Sequence, residues 1–316
     1  MLHRSLLGAL VALLVAGCAP AHQRIYGPSE LRRELMRRAP DVPEVARLVP
    51  FEIPPEVAAR AVEAVLLSTT DSDKVSALVR AMFDPFVFGL RYAEVETVGA
   101  AQALQRRSGN CLDLASVFIG LARAVGLRAE YMDASFRVHD TKDVPGGMAL
   151  RSGHVTAEVD VGSERMGLDF ARLGPVLRYR LMDDVEAVAH FHNNRGWDHI
   201  DRALAAGAPV DWGAALSEFE AAVAVEPGFA AGWNNAGLAA ARLGRRDEAA
   251  DRYRRAAELA PELAAPRVNL AALLLQRGDL GGALEELEAA VRAEPGDAHA
   301  RRLLEEARAR RDAPAK

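Results

Sequence analysis

Three prolines, Pro227, Pro261 and Pro295, fall 34 residues apart, and the residues between them repeat in step. Asn235, Gly237, Gly244, Ala249, Tyr253, Ala256 and Pro261 are followed at the same offset by Asn269, Ala271, Gly278, Ala283, Leu287, Ala290 and Pro295. A period of that length holds two helices; small residues stand where helices approach closely, and large ones fill between them. One such unit cannot bury its apolar face alone, so the period commits this part of the chain to a stack. An earlier unit begins near Ala189, where Asn194 and Gly196 match the opening and Ala215, Phe219, Ala222 and Pro227 the close. Between these the spacing is seven residues too long, which predicts an enlarged helix–helix loop over Ala205 to Asp211. Residues 298–311 are charged and predict a last helix suited to cap the stack.

The pattern resembles the tetratricopeptide repeat, with three repeats and a capping helix over 189–312. The resemblance implies a short curved solenoid whose concave groove holds a peptide or protein partner. Asn194, Asn235 and Asn269 recur at one helix position. Two readings stand for them: amides that face the groove and hold a peptide backbone, or side chains that satisfy local turns. Trp197, Trp212 and Trp233 are expected to fill the core.

Upstream, Ser108-Gly109-Asn110 breaks the chain before an apolar run that starts at Cys111. Leu114, Val117, Phe118, Leu121, Ala122 and Val125 repeat at helical spacing and Gly126 stops them, so a helix over 111–125 is predicted with the cysteine at its start. A helix N-terminus favours an anion through its dipole and unpaired N–H groups, which suits a thiolate nucleophile. The bland alternative is a small buried core residue. A thiol nucleophile needs a base and a group to orient that base. Val155, Ala157, Val159 and Val161 alternate as a strand with His154 at its start; Gly162-Ser163 makes a turn, and Arg165 to Phe170 returns carrying Asp169. In that hairpin His154 and Asp169 become cross-strand neighbours. His139 reads as loop, Asp160 is the rival carboxylate, and Asp113 has the option of pairing within its own helix. No H-x-x-x-H or C-x-x-C pair occurs, so neither a metal nor another cofactor is expected. Earlier helices are predicted from Pro55 to Leu67 and from a cap at Asp71 to Phe83.

Ser108 to Cys111, the helix through Leu121 to Ala129, Gly153-His154-Val155 and Leu168-Asp169-Phe170 resemble the transglutaminase-like superfamily. The resemblance covers roughly residues 50 to 185. It implies a papain-like α+β fold, in which a helix bearing the cysteine packs on an antiparallel sheet bearing histidine and aspartate. By that resemblance Cys111 is the nucleophile, His154 the base and Asp169 its orienter. Thr156 departs from the family, whose members commonly carry an aromatic shortly after the histidine. For the oxyanion donor, Asn110 and the backbone N–H of Cys111 are both candidates.

The first four residues are a short positive region, and Leu6 to Val15 is apolar but too short to remain as a membrane-spanning helix. The run ends in Leu14-Val15-Ala16-Gly17-Cys18, which resembles a bacterial lipobox. That resemblance implies a signal peptide over 1–17, cleavage before Cys18 and diacylglycerol on its thiol; an ordinary secretory signal is the alternative. Ala19 follows, rather than an inner-membrane retention aspartate, so the expectation is an outer-membrane lipoprotein facing the periplasm. Residues 18–50 are polar and carry Pro20, Pro28, Pro40, Pro43 and Pro50, which reads as a tether around a short basic helix, Leu31 to Arg38. A catalytic domain is then expected over 51–188. Net charge is −5, giving no electrostatic reason to expect nucleic acid.

Together these readings predict a membrane-anchored periplasmic cysteine peptidase or amidase. It acts on a peptide or protein through a thioester, with the repeats recruiting substrate or partner. A transamidating acyltransferase of the same site is one alternative, and a catalytically inactive lipoprotein scaffold is the other.

Overall fold

The computed structural model describes Ala12–Leu14, residues 23–134, Thr141–Val144, Gly147–Leu150, and residues 154–171 and 179–312. Cys18, His139 and Gly153 lie outside the described residues. The chain divides into two compact units. One joins Met1–Val138 to Gly153–Phe191, and the other joins His139–Ser152 to His192–Lys316.

The first unit is a helix-on-sheet domain. Strand β1 (Ala12–Leu14) lies in the apolar N-terminal run, followed by helices α1 (Pro28–Arg38), α2 (Pro55–Ala64) and α3 (Asp71–Phe83). Next come β2 (Arg91–Tyr92), α4 (Ala100–Arg106), β3 (Ser108–Gly109), α5 (Cys111–Ala124) and β4 (Ala129–Asp133). The chain then leaves for β5 (Thr141–Val144) and β6 (Gly147–Leu150), which belong to the second unit, and returns as β7 (Val155–Val161), β8 (Glu164–Leu168) and β9 (Arg180–Met182). The sheet order is β1-β8-β7-β4-β9, antiparallel throughout.

Helix α5 is the core of this unit: every residue from Leu112 to Ala122 is buried. A helix apolar all round can sit only between other layers. At Gly120 an added Cβ would stand 2.4 Å from the Phe51 carbonyl oxygen, so the 51–53 segment crosses α5 where only glycine leaves room. The C-terminal end of α5 is pinned by Arg123, whose guanidinium makes two 2.9 Å bonds to Asp184 and also donates to the Ala129 carbonyl. Its flat face lies 4.5 Å from the Phe51 ring centroid.

The segment expected as a tether is folded from residue 23 onward. Leu31 and Leu35, one turn apart on α1, are fully buried, as is Val45, and Tyr26 and Val49 are nearly so. The Tyr26 backbone N–H donates to Asp184 Oδ2 at 2.9 Å. The prolines start helices and turns here rather than holding the chain open, with Pro28 and Pro43 each in the first turn of a helix. The basic residues are spent locally, Arg37 and Arg38 on Glu34 and Arg32 on Glu52. Helix α3 is capped by Thr70 in a reciprocal capping box with Asp73, one residue earlier than the expected cap at Asp71.

The second unit contains the helical repeats: α6 (Asp184–Ala205, which begins in the first unit), α7 (Trp212–Val225), α8 (Ala230–Arg242), α9 (Arg246–Leu259), α10 (Ala264–Gln276), α11 (Leu280–Ala293) and α12 (Ala298–Asp312). The small residues work as the period requires. A Cβ on Gly196 would meet the Phe219 ring at 2.4 Å, and one on Gly237 the Tyr253 ring at 2.8 Å. Trp197 is fully buried, whereas Trp212 and Trp233 are only half-buried. Hairpin β5–β6, expected in the catalytic domain, packs with the repeats: Val144 sits in a cluster with Trp197 and Phe219, and Met148 and Leu150 in one with Val268 and Ala264.

Candidate active site

Cys111 occupies the first position of α5 and is partly buried. The turn before it is built by a capping box. Asn110 Oδ1 accepts from the Asp113 backbone N–H at 3.0 Å, and Asp113 Oδ2 accepts in return from the Asn110 N–H. The other Asp113 oxygen accepts from the N–H groups of Val98 (2.9 Å) and Gly99 (2.8 Å). Asp113 is fully buried and bolts the loop at Val98 and Gly99 to helix α5. Sequence reasoning had left its partner open; the N-x-x-D spacing was the signal for this role.

Asn110 was a candidate oxyanion donor, and its side chain is committed elsewhere. Its amide Nδ2 donates to Thr97 Oγ1 at 2.8 Å and to the Val95 carbonyl at 3.2 Å, so it is a cap. What the geometry leaves for an oxyanion is the backbone N–H at the start of α5, a position with no carbonyl one turn back inside the helix.

His154 immediately precedes β7 and Asp169 immediately follows β8. In the β7–β8 ladder Ala157 pairs with Leu168, so Asp169 falls diagonally across from His154 on the same face. His154 Nε2 lies 2.7 Å from Asp169 Oδ1, and the two side chains are only 8% and 9% exposed. Both are held from behind. The His154 carbonyl accepts from the Ala134 N–H at 2.8 Å, and Asp169 Oδ1 also accepts from the Ala171 N–H at 2.9 Å. Phe170 anchors the next position between Phe118 (6.0 Å) and Phe83 (6.4 Å). Cys111 is the other side chain that acts on the imidazole, and with Nε2 on Asp169, Nδ1 is the ring nitrogen left for it.

Burial opposes the charged imidazole, but the bond to Asp169 and its negative charge, with a further contribution from Cys111, outweigh it. They raise the His154 pKa to about 9. The rival carboxylate Asp160 instead lies 3.6 Å from Arg165, its cross-strand partner near the turn of the hairpin. Thr156, the departure from the family pattern, is buried and donates its hydroxyl to the Leu168 carbonyl, tying β7 to β8 beside the site.

Of the three asparagines read from the repeats, Asn235 and Asn269 are buried and hold the backbone of β6. Asn194 is half-buried and takes the register position of Asn235 on α6. Two further asparagines were missed. Asn193 and Asn234, each one residue before a predicted position, are buried and accept from the side chains of Asn235 and Asn269.

Residues 58–170 match the model of the transglutaminase-like superfamily, and residues 240–307 match that of a tetratricopeptide repeat. No curated protein matches the chain. Among solved structures it is similar to the first TPR of Spaghetti (RPAP3) bound to an HSP90 peptide, at 16% identity and TM-score 0.35, over 40% of this chain and 94% of that one. It is also similar to the Arabidopsis OM64 TPR domain (14% identity, TM-score 0.34, 40% and 98% covered). The Sgt2 TPR domain from Aspergillus fumigatus is a third (19% identity, TM-score 0.34, 40% and 86% covered).

Proposed function

For a chain that carries a transglutaminase-like domain followed by tetratricopeptide repeats, we propose a cysteine peptidase or amidase working through Cys111, His154 and Asp169. The observation that carries this reading is the 2.7 Å bond between His154 Nε2 and Asp169 Oδ1, on an imidazole whose charge Cys111 also favours. A transglutaminase-like domain is compatible with enzymatic activity, and such a relay is what nucleophilic catalysis by a thiol needs.

Cys111 Sγ, as thiolate, adds to the carbonyl carbon of an amide, and the oxygen gathers negative charge beside the α5 N-terminus. The protonated imidazole gives its proton to the amine nitrogen as the C–N bond breaks, leaving a thioester on Sγ. Water then attacks the thioester while His154 takes its proton, and the C–S bond breaks to free acid and thiolate. Asp169 keeps Nε2 protonated, so Nδ1 is the nitrogen that exchanges protons with sulfur and substrate. Hydrolysis is favoured over transfer to an amine because water stands at about 55 M.

The lipobox-like segment supports an outer-membrane lipoprotein anchored through Cys18 and facing the periplasm. Tetratricopeptide repeats commonly bind proteins, which supports a protein partner as well as a peptide substrate. Two experiments test the reading. In a mixed-peptide digest followed by mass spectrometry in ¹⁸O water with an added primary amine, wild type is expected to produce termini carrying ¹⁸O. Turnover that survives Cys111→Ala would contradict it, and products carrying the amine would move it to acyl transfer. Metabolic labelling with an alkyne fatty acid is expected to mark the wild type and not Cys18→Ala; equal labelling would overturn the anchor.

A further inference from the structure

The asparagines of the repeats are already occupied by this chain. Asn235 clamps both backbone groups of Leu150: Oδ1 accepts from its N–H at 2.8 Å, and Nδ2 donates to its carbonyl at 2.5 Å. Asn269 treats Met148 the same way, at 2.8 and 2.7 Å. Asn234 Nδ2 adds a 3.1 Å bond to the Met148 carbonyl, and Trp197 Nε1 donates to the Leu150 carbonyl at 3.1 Å. The asparagines also brace one another. Asn235 donates to Asn193 Oδ1 and Asn269 to Asn234 Oδ1, at 2.8 and 2.9 Å.

This is strand pairing performed by side chains. In a strand the N–H and C=O of one residue point to the same edge, and residues two apart share that edge. β6 pairs with β5 on one edge, and on the other Met148 and Leu150 meet amides that supply one donor and one acceptor per residue. Asn235 and Asn269 are 34 residues apart, so the repeat period itself sets the spacing of this ladder. The side chains of Met148 and Leu150 are 5% and 4% exposed, packed among Val268, Ala264 and Leu263. At Gly147 a Cβ would stand 2.9 Å from both Asn269 Oδ1 and Leu238, so the groove also demands the smallest residue just before the first anchor.

We propose that the groove of the repeats is a receptor for one extended strand of the form Gly-apolar-x-apolar, that β6 is its resident ligand in cis, and that a partner taken by this face enters by displacing β6. Backbone readout sets the extended conformation, and the two apolar pockets with the excluded Cβ set the sequence. This inference is independent of whether Cys111 is active. The partner class it names is an apolar β-strand, not an acidic or basic peptide.

The test uses the full chain and a fluorescent peptide of residues 141–150, Thr-Lys-Asp-Val-Pro-Gly-Gly-Met-Ala-Leu. The wild type is expected to bind it weakly because the groove is filled. Met148→Glu/Leu150→Glu, which puts carboxylates into apolar pockets and expels β6, is expected to bind it at least about tenfold tighter. Adding Asn235→Ala/Asn269→Ala to that variant should abolish the gain. Equal binding by wild type and expelled variant, or a gain that survives loss of both asparagines, would overturn the proposal. Hydrogen exchange on the wild type needs no variant: the Met148 and Leu150 amides are expected to exchange at least about 100-fold slower than in the free peptide. Free-peptide rates would contradict a docked strand. A dimer by light scattering that dissociates in the expelled variant would show hairpins exchanged between copies, and would overturn the cis assignment.

Discussion

At the scale of single residues, His154 is held between opposing effects. Burial disfavours its charge, while Asp169 and Cys111 favour it, and the balance leaves the imidazole protonated up to about pH 9. Removing the Asp169 charge but keeping its shape, as in Asp169→Asn, takes away the strongest of the supporting bonds. A histidine titration followed by NMR should show the His154 midpoint near 9 in the wild type and clearly lower in the variant. The same coupling has a stability consequence. A pKa raised from an unfolded value near 6.5 contributes stability that is complete below about pH 6.5 and lost as pH rises through about 9. Thermal melts of the wild type should therefore fall across that window, and those of His154→Ala should be flatter there. The pairing of His154 with Asp169 was readable because a two-residue turn sets strand register, and register sets which side chains meet. The bonds of the Asn110 amide were not readable, because a side chain's direction depends on the loop it caps, and the partners Val95 and Thr97 lie 13 to 15 residues away.

Among the elements, α5 carries the most. Its burial and its start at Cys111 followed directly from spacing and capping residues, and so did the repeat helices. What spacing did not expose is the set of close approaches that lock α5 in place. Gly120→Ala would drive a methyl group to 2.4 Å from the Phe51 carbonyl, and an overpacked backbone contact of this kind costs about 1–3 kcal/mol. Asp113→Ala would remove the reciprocal half of the capping box and leave the N–H groups of Asn110, Val98 and Gly99 without their acceptor. With each lost buried bond worth about 1–3 kcal/mol, urea denaturation should show at least that loss. The N-terminal segment illustrates the opposite failure. Frequent prolines suggest an open tether, yet a Leu31–Leu35 pair on one helical face is enough to fold it once a core is there to receive it.

On the scale of the whole chain, two long-range links were invisible to local patterns. One is the buried pair of Arg123 and Asp184, 61 residues apart, which also receives the Tyr26 N–H. Arg123→Met would leave Asp184 buried without its cation, a change that typically costs about 3–5 kcal/mol, so the melting temperature should drop by many degrees. The other is hairpin β5–β6, whose partners, Asn235 and Asn269, lie 85 and 121 residues away. The asparagine column was visible as a period; that the chain supplies its own ligand was not. The central claim, that Cys111 and His154 form a working nucleophile pair, needs no substrate to test. The rate of Cys111 alkylation by iodoacetamide, followed from pH 5 to 10 in the wild type beside His154→Ala, with Cys18 removed from both, measures it directly. A fast rate that persists below pH 7 in the wild type and disappears in the variant is the predicted result. A rate that rises only above about pH 8, identical in the two proteins, would contradict it.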